Sequence, residues 1–312
     1  MSSIPSTIVR PLHDKGTPAG PNFTPIIPPP RIQAKQFPAL TPFRHPFAGF
    51  VYMLFNTTVH EGEKKPPDMS DNIEAALQAF RKGNPVCLFD SDKREGETDL
   101  LFPALYAQPS TMRQLRKDCG GLLFLAVGHD VGEVFGLPFL QDLHTHDSLM
   151  NQYPILSVLK TNDLRYDSRS AFTLSLNHRE TYTGITDHDR ALTTRRFAEL
   201  SKTILEENLS EAEAQERMGA EFRTPGHIPV CRESSGGLVT RQGHTELAVG
   251  LARLANLVPV VIGAEMLQPD GDGALSVANA RIWASERNIP FLEGAEVIAA
   301  FHEQSQKPDA SA

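Results

Sequence analysis

Short apolar runs of strand length, interleaved with stretches whose apolar residues recur at helical spacing, predict a layered α/β or α+β domain in this chain of 312 residues. The run Val86-Cys87-Leu88-Phe89 is the first such strand; Ile73, Ala76, Leu77 and Phe80 form the first such helix face; no segment repeats at a fixed period. A hydrophobic content of 40% supplies a core for one large domain or two small ones.

Thirteen of the 24 prolines fall in the first 67 residues, so 1–69 reads as an N-terminal arm, partly ordered, without long helix or central strand. Within it, Pro42 to Val59 carries Phe43, Phe47, Phe50, Val51, Tyr52, Leu54 and Phe55 and is expected to pack against a body or a partner subunit. The globular domain is expected over 70–303, with a tail at 304–312. Ser70 is a plausible N-cap and Gly83 a stop for the first helix. After Asn84-Pro85, the strand Val86 to Phe89 delivers an acidic loop at its end. Further strands are predicted at Leu122 to Val127, Phe172 to Leu176 and Val258 to Ala264, with helices at 244–255, 277–287 and 294–303. Pro225-Gly226-His227 and Ser234-Ser235-Gly236-Gly237 read as turns. Two stretches interrupt the pattern as insertions. Leu143 to Gln152 reads as a polar loop, and Leu205 to Glu221 as a charged, solvated helix bearing Glu206, Glu207, Glu211, Glu213 and Glu216.

The net charge of −8 and the lack of a basic run exclude nucleic acid as the main partner, because phosphate-backbone binding needs clustered Lys and Arg. Small anionic substrates need only a local cationic pocket. Cys87, Cys119 and Cys231 are odd in number and far apart, which indicates neither a disulfide framework nor a zinc site. No apolar run approaches the ~20 residues of a transmembrane helix, and no secretory apolar region opens the chain. A cytoplasmic location and no membrane partner are expected.

Two polar segments carry the chemistry. In the first, Arg94, Glu95, Glu97 and Asp99 follow the apolar run. On an extended chain the three acids point to one side and Arg94 to the other. Their mutual repulsion is relieved by a divalent cation, or by proton sharing that raises one pKa into the acid–base range. Taken alone, this segment is equally a solvated acidic loop with Arg94 as an ion-pair partner. In the second, Arg241-Gln242-Gly243-His244-Thr245-Glu246, glycine permits close approach of a ligand, and Thr245 opens a helix with apolar Leu247, Val249, Leu251 and Leu254. Arg241 and a hydroxyl at a helix N-terminus make an anion site. His244 could ligate a metal or move a proton, and Glu265 ends the strand from Val258. His144, His146 and Asp147 are a weaker candidate metal site, with a polar loop as the competing reading.

The ordered segments KREGETDLLFPA (93–104), AFTLSL (171–176), TGITDHDRALTT (183–194), PGHIPV (225–230), GGLVTRQGHTE (236–246) and AEMLQPDGDG (264–273) resemble the 3,4-dihydroxy-2-butanone 4-phosphate synthase family over roughly 70–303. That riboflavin-pathway family converts ribulose 5-phosphate to a four-carbon ketose phosphate and formate. The resemblance implies an α+β fold with a three-layer α/β/α arrangement around a mixed β-sheet, a homodimer with sites near its interface, and Mg2+ as cofactor, with Mn2+ as a substitute. It implies Glu95 and His244 as metal ligands. Arg241 and Thr245 would hold the phosphate, with Arg94 and Gln242 also lining the substrate site. Glu97 and Asp99 would move protons, Asp99 and Glu265 would contact the sugar hydroxyls, and His227 would lie close by, reaching across the dimer. The small-molecule partner is then a phosphorylated or carboxylated hydroxyketone, since an arginine fork fits either group.

The chain departs from the family pattern at Thr98, Phe124, Tyr182, Thr224, Gln242 and Leu275-Ser276-Val277. Phe124 stands where the family favours cysteine, and Cys119 nearby could substitute for it. These departures motivate an alternative, a diverged member acting on another polyoxygenated ketone. A non-catalytic binding protein is a second alternative.

Overall fold

The computed structural model describes residues 69–161, 163–165 and 167–306. The expectations for the arm, including Pro42 to Val59, lie outside these residues, as does the end of the tail.

The described chain runs α1 (Met69–Arg81), β1 (Val86–Phe89), β2 (Thr98–Pro103), α2 (Pro109–Asp118), β3 (Gly120–Val127), α3 (His129–Val134), α4 (Leu140–His144), α5 (Asp147–Gln152), α6 (Ile155–Val158), β4 (Phe172–His178), α7 (Asp187–Glu206), α8 (Glu211–Glu221), β5 (Phe222–Arg232), α9 (His244–Leu254), β6 (Val260–Met266), α10 (Val277–Glu286), β7 (Phe291–Glu293) and α11 (Gly294–Gln306). The seven strands form one mixed sheet in the order β4-β5-β3-β6-β2-β1-β7. Strand β3 runs parallel to β5 and β1 parallel to β7; the remaining neighbours are antiparallel.

Strand residues alternate between the two faces. Cys87, Phe89, Leu100, Phe102, Leu125, Ile262 and Ala264 enter one core with residues of α2, α7 and α10. Val86, Leu88, Leu101, Phe124, Ala126, Val261 and Cys231 enter a second core with residues of α1, α9 and α11. Both sheet faces are thus covered by helices, as the three-layer α+β expectation requires. Nearly every residue of α9 is buried. A helix apolar on most sides is held by packing all round it, which fixes its N-terminus over the sheet. Among the described residues no helix is long and apolar enough to cross a membrane.

Several boundaries differ from the sequence reading. Ser70 lies in the first turn of α1 and not at its cap, and α11 continues past 303 to Gln306. The stretch 143–152 is helical, ending α4 and forming α5. The single charged helix expected over 205–221 is the end of α7 and a separate α8, whose Ser210 and Glu213 bond reciprocally as a capping box. Pro225-Gly226-His227 lies inside β5 and not in a turn; the Thr224–Pro225 peptide is cis, and the pairing with β4 shifts register beside it. Strands β2 and β7 and helices α2 and α7 were not anticipated.

Candidate active site

Four neighbouring strands supply one face of the site. Asp99 on β2, Glu265 on β6, Phe124 on β3 and Cys231 on β5 share the parity of the α9-side core, and Asp99 sits opposite Glu265 in the β2–β6 register. The N-terminus of α9 lies above them and brings His244 to the sheet. A cavity of about 230 Å³ opens here, with Glu95, Phe124, Cys231, Arg241, His244, Thr245 and Glu265 among its lining residues.

The acidic loop is not extended as expected. Residues 92–95 form a turn, closed by a bond from the Arg94 N–H to the Ser91 carbonyl. Asp90, which the sequence reading passed over, organises it: its carboxylate accepts from the backbone N–H of Glu95 at 3.0 Å and of Glu97 at 3.1 Å. The available signal was an acid placed directly after a buried strand, in position to bond forward to its own backbone.

His244 lies between two acids. Its Nδ1 is 3.4 Å from a Glu95 oxygen, and its Nε2 is 3.8 Å from Asp99 Oδ1 and 3.4 Å from the Glu97 carbonyl. Asp99 is fully buried, and neither of its carboxylate oxygens has a hydrogen-bond partner. Burial pushes its carboxyl up to about 7; Glu265, Glu95 and Glu97 add to the rise, and His244 opposes it. Burial works against a charge on His244, yet Asp99, the bond to Glu95 and the charge of Asp90 outweigh it and lift the imidazole to about 10. The bond from His244 holds Glu95 below the usual carboxylate range. Glu97 is raised by burial and by Glu95, and Glu265 by burial foremost.

These residues fit a divalent cation. A carboxylate and an imidazole face each other beside two buried oxygens without donors, an imbalance that positive charge relieves. Among the described residues no group of three or more His, Cys, Asp or Glu side chains forms a ready-made cage. A hard cation that keeps water or substrate ligands tolerates so sparse a protein shell.

Arg241 forms the cationic wall. It donates to the fully buried Glu246 and, at 2.7 Å, to Asp167, whose carboxylate also accepts from Arg94 Nη2 at 3.2 Å. Burial alone would raise the Asp167 carboxyl, but Arg241 and then Arg94 hold it below the usual range. Arg94 therefore joins the site through Asp167, a residue in no recognised motif that sequence reasoning missed. Two glycines make room for side chains of the site: a Cβ on Gly243 would fall 2.5 Å from the Arg241 guanidinium, and one on Gly121 would fall 2.5 Å from the Glu265 carboxylate. Gly243 thus seats a side chain of the site, where the sequence had suggested room for a ligand.

The structure brings Glu95, Asp99, Arg241, His244, Thr245 and Glu265 together. Glu97 stands at their edge, while Arg94 and Gln242 line an adjoining cavity. His227 is elsewhere, exposed on β5, bonded to Asn177 and lining a different cavity with Arg116 and Arg190. Cys119 is buried in the opposite core and does not replace the expected cysteine; Cys231, on the strand next to Phe124, lines the site cavity instead. Tyr182 is 94% exposed, so its bulk does not enter that cavity. His146 bonds Ser148 at the start of α5.

The family profile described as 3,4-dihydroxy-2-butanone 4-phosphate synthase matches residues 74–300. The protein of that name from Methanosarcina mazei is 42% identical over 232 residues, 74% of this chain and 92% of the relative. The one from Archaeoglobus fulgidus is 40% identical over 228 residues, 73% and 92% of the two chains. A crystal structure of a 3,4-dihydroxy-2-butanone 4-phosphate synthase in complex with two magnesium ions superposes with a TM-score of 0.57 at 26% identity, covering 76% of this chain and 99% of the other.

Proposed function

The chain belongs to the 3,4-dihydroxy-2-butanone 4-phosphate synthase family and is an enzyme of that lyase type, and we propose that it converts ribulose 5-phosphate to 3,4-dihydroxy-2-butanone 4-phosphate and formate, the branch that serves riboflavin synthesis. One observation carries this reading: Asp99, fully buried and without a hydrogen-bond partner, is held opposite Glu265 and 3.8 Å from His244.

Glu95 and His244 would hold the cation, Mg2+ with Mn2+ as a substitute. When bound, that ion polarises the substrate carbonyl and stabilises negative charge beside it. Enolisation, loss of water, carbon migration and formate release each require proton transfers. A carboxyl pushed to about 7 accepts and returns a proton near neutral pH, which suits Asp99 to that task. Glu97, raised beside Glu95 and next to His244, is the second proton carrier, and Glu265 orients hydroxyls from across the strand pair. The N-terminus of α9, with Thr245 and Arg241, binds the phosphate end. A homodimer belongs to the same reading: His227 lines a cavity of its own beside Arg116 and Arg190, a position from which it would serve a neighbouring copy. A cytoplasmic setting is supported by three buried, unpaired thiols. Neither a diverged substrate nor a purely binding role gains a specific observation in its favour.

The test is formate release from ribulose 5-phosphate by purified protein with Mg2+, abolished by chelation and restored by added cation. Ribulose 5-phosphate left intact, with the cation bound, would sink the substrate assignment. Sedimentation at a monomer mass would remove the dimer.

A further inference from the structure

Asp167 lines two cavities at once, the site cavity of about 230 Å³ and an adjoining one of about 640 Å³. Lys93, Arg94, Arg169 and Arg241 also line the second, and among the described residues of that lining Asp167 is the sole acid. The balance there is strongly cationic, and it is bridged by one carboxylate. Asp167 Oδ2 takes both arginines, Arg241 at 2.7 Å and Arg94 at 3.2 Å, while Oδ1 is 3.5 Å from Arg94. One oxygen is therefore shared by two guanidinium groups. Arg241 Nε, meanwhile, is buried with no hydrogen-bond partner. A buried donor left unsatisfied is costly, and with Glu246 on Arg241 Nη1 and Asp167 on Arg241 Nη2 that Nε still has no acceptor.

We propose that Asp167 is an internal stand-in for the anionic end of the substrate, holding the Arg94–Arg241 pair when no ligand is bound and giving way to a tetrahedral dianion. This rests on the proposed phosphate-bearing substrate. A phosphate presents oxygens in several directions, enough for both forks and for the unused Nε, and carries more charge than the carboxylate it displaces. No described residue between Leu159 and Phe172 belongs to a helix or strand, so moving Asp167 aside breaks no ladder. The arrangement also sets selectivity. A monoanion gains little over the resident carboxylate, whereas a dianion gains a charge and further bonds. Asp167 acts through the arginines and is a specificity-determining residue.

Inorganic phosphate is the probe. An ion pair closed for about nine-tenths of the time lowers apparent affinity about tenfold. Titration calorimetry is thus expected to show Asp167→Asn and Asp167→Ser binding phosphate about tenfold more tightly than the wild type, and Asp167→Glu no more tightly. Two neutral variants guard against the misfolding of one. Affinity that is unchanged or weaker in the neutral variants overturns the proposal, because Asp167 then only braces the arginines. Formate release by the same wild-type preparation separates the two levels. Formate with no gain in phosphate affinity overturns the role of Asp167 alone; absence of formate overturns the substrate reading, while the phosphate titration still decides Asp167.

Discussion

Helix α9 has a buried acid near each end, and the two are treated in opposite ways. Towards its C-terminus, Glu233 is 1% exposed; its carboxylate accepts from Arg253 at 2.7 and 2.8 Å and from the His129 N–H at 2.9 Å. Burial still lifts the Glu233 carboxyl, with Arg253 and His129 pulling it back. Over the N-terminus, Asp99 is equally buried and accepts no hydrogen bond, with His244 Nε2 3.8 Å away. A buried ionisable group without hydrogen-bond partners costs more than a well-bonded one. Natural sequences retain such a group where strain serves function, and a satisfied acid where structure needs bracing. The same helix thus joins a structural clamp to a reactive centre.

Breaking the reactive end should have the largest effect. Glu95→Ala and His244→Ala are each expected to reduce formate release by well over the ~100-fold that loss of an outer-shell partner costs a metal site, with cation binding lost in calorimetry. Retained cation affinity in both variants would remove these residues as ligands. Breaking the structural end should act on stability. Glu233→Ala takes a charged acceptor away from Arg253 and His129, so denaturant titration should show a loss of about 2 kcal/mol, with turnover per folded molecule changed little. A fall in turnover without a fall in stability would make Glu233 part of the chemistry.

A smaller effect is expected at Asp167, whose carboxyl Arg241 and Arg94 hold below its usual range against burial. A depressed folded-state value means the ion pair contributes stability above the unfolded-state pKa of about 3.9 and loses it as pH falls through the lowered value. Acid unfolding of Asp167→Asn should therefore lack a component of about 1 kcal/mol that the wild type shows. Identical acid limbs for the two proteins would show that the pair adds nothing to folding.

The legible parts of this fold are those where one periodicity rules. Val86 to Phe89 reads as a strand because it is a short unbroken apolar run, and all four residues are buried, while α9 reads as a helix from Leu247, Val249, Leu251 and Leu254. Strand β2 escaped because Thr98-Asp99 belongs to an acidic motif that resembles a loop, although all six strand residues are buried. Strand β5 escaped because Pro225, Gly226 and Pro229 are turn residues, tolerated here where the ladder to β4 shifts register. The site followed the same division. Its motif residues Glu95, Asp99, Arg241 and His244 converge as expected, and Asp90 left a local signal in its place directly after a buried strand, whereas Asp167 acts through tertiary contacts that leave no local pattern. His227 stands apart within one chain, although it sits in a motif as recognisable as the others.

The contrast between the two acids is tested most directly by Asp99→Asn, measured at once for formate release and for unfolding free energy. Loss of a proton carrier should lower turnover by roughly 100- to 10,000-fold, while removal of a buried carboxylate that accepts no hydrogen bond, with His244 no nearer than 3.8 Å, leaves stability unchanged or raises it. A variant that keeps its turnover, or one that loses activity only as it loses stability, would contradict the account.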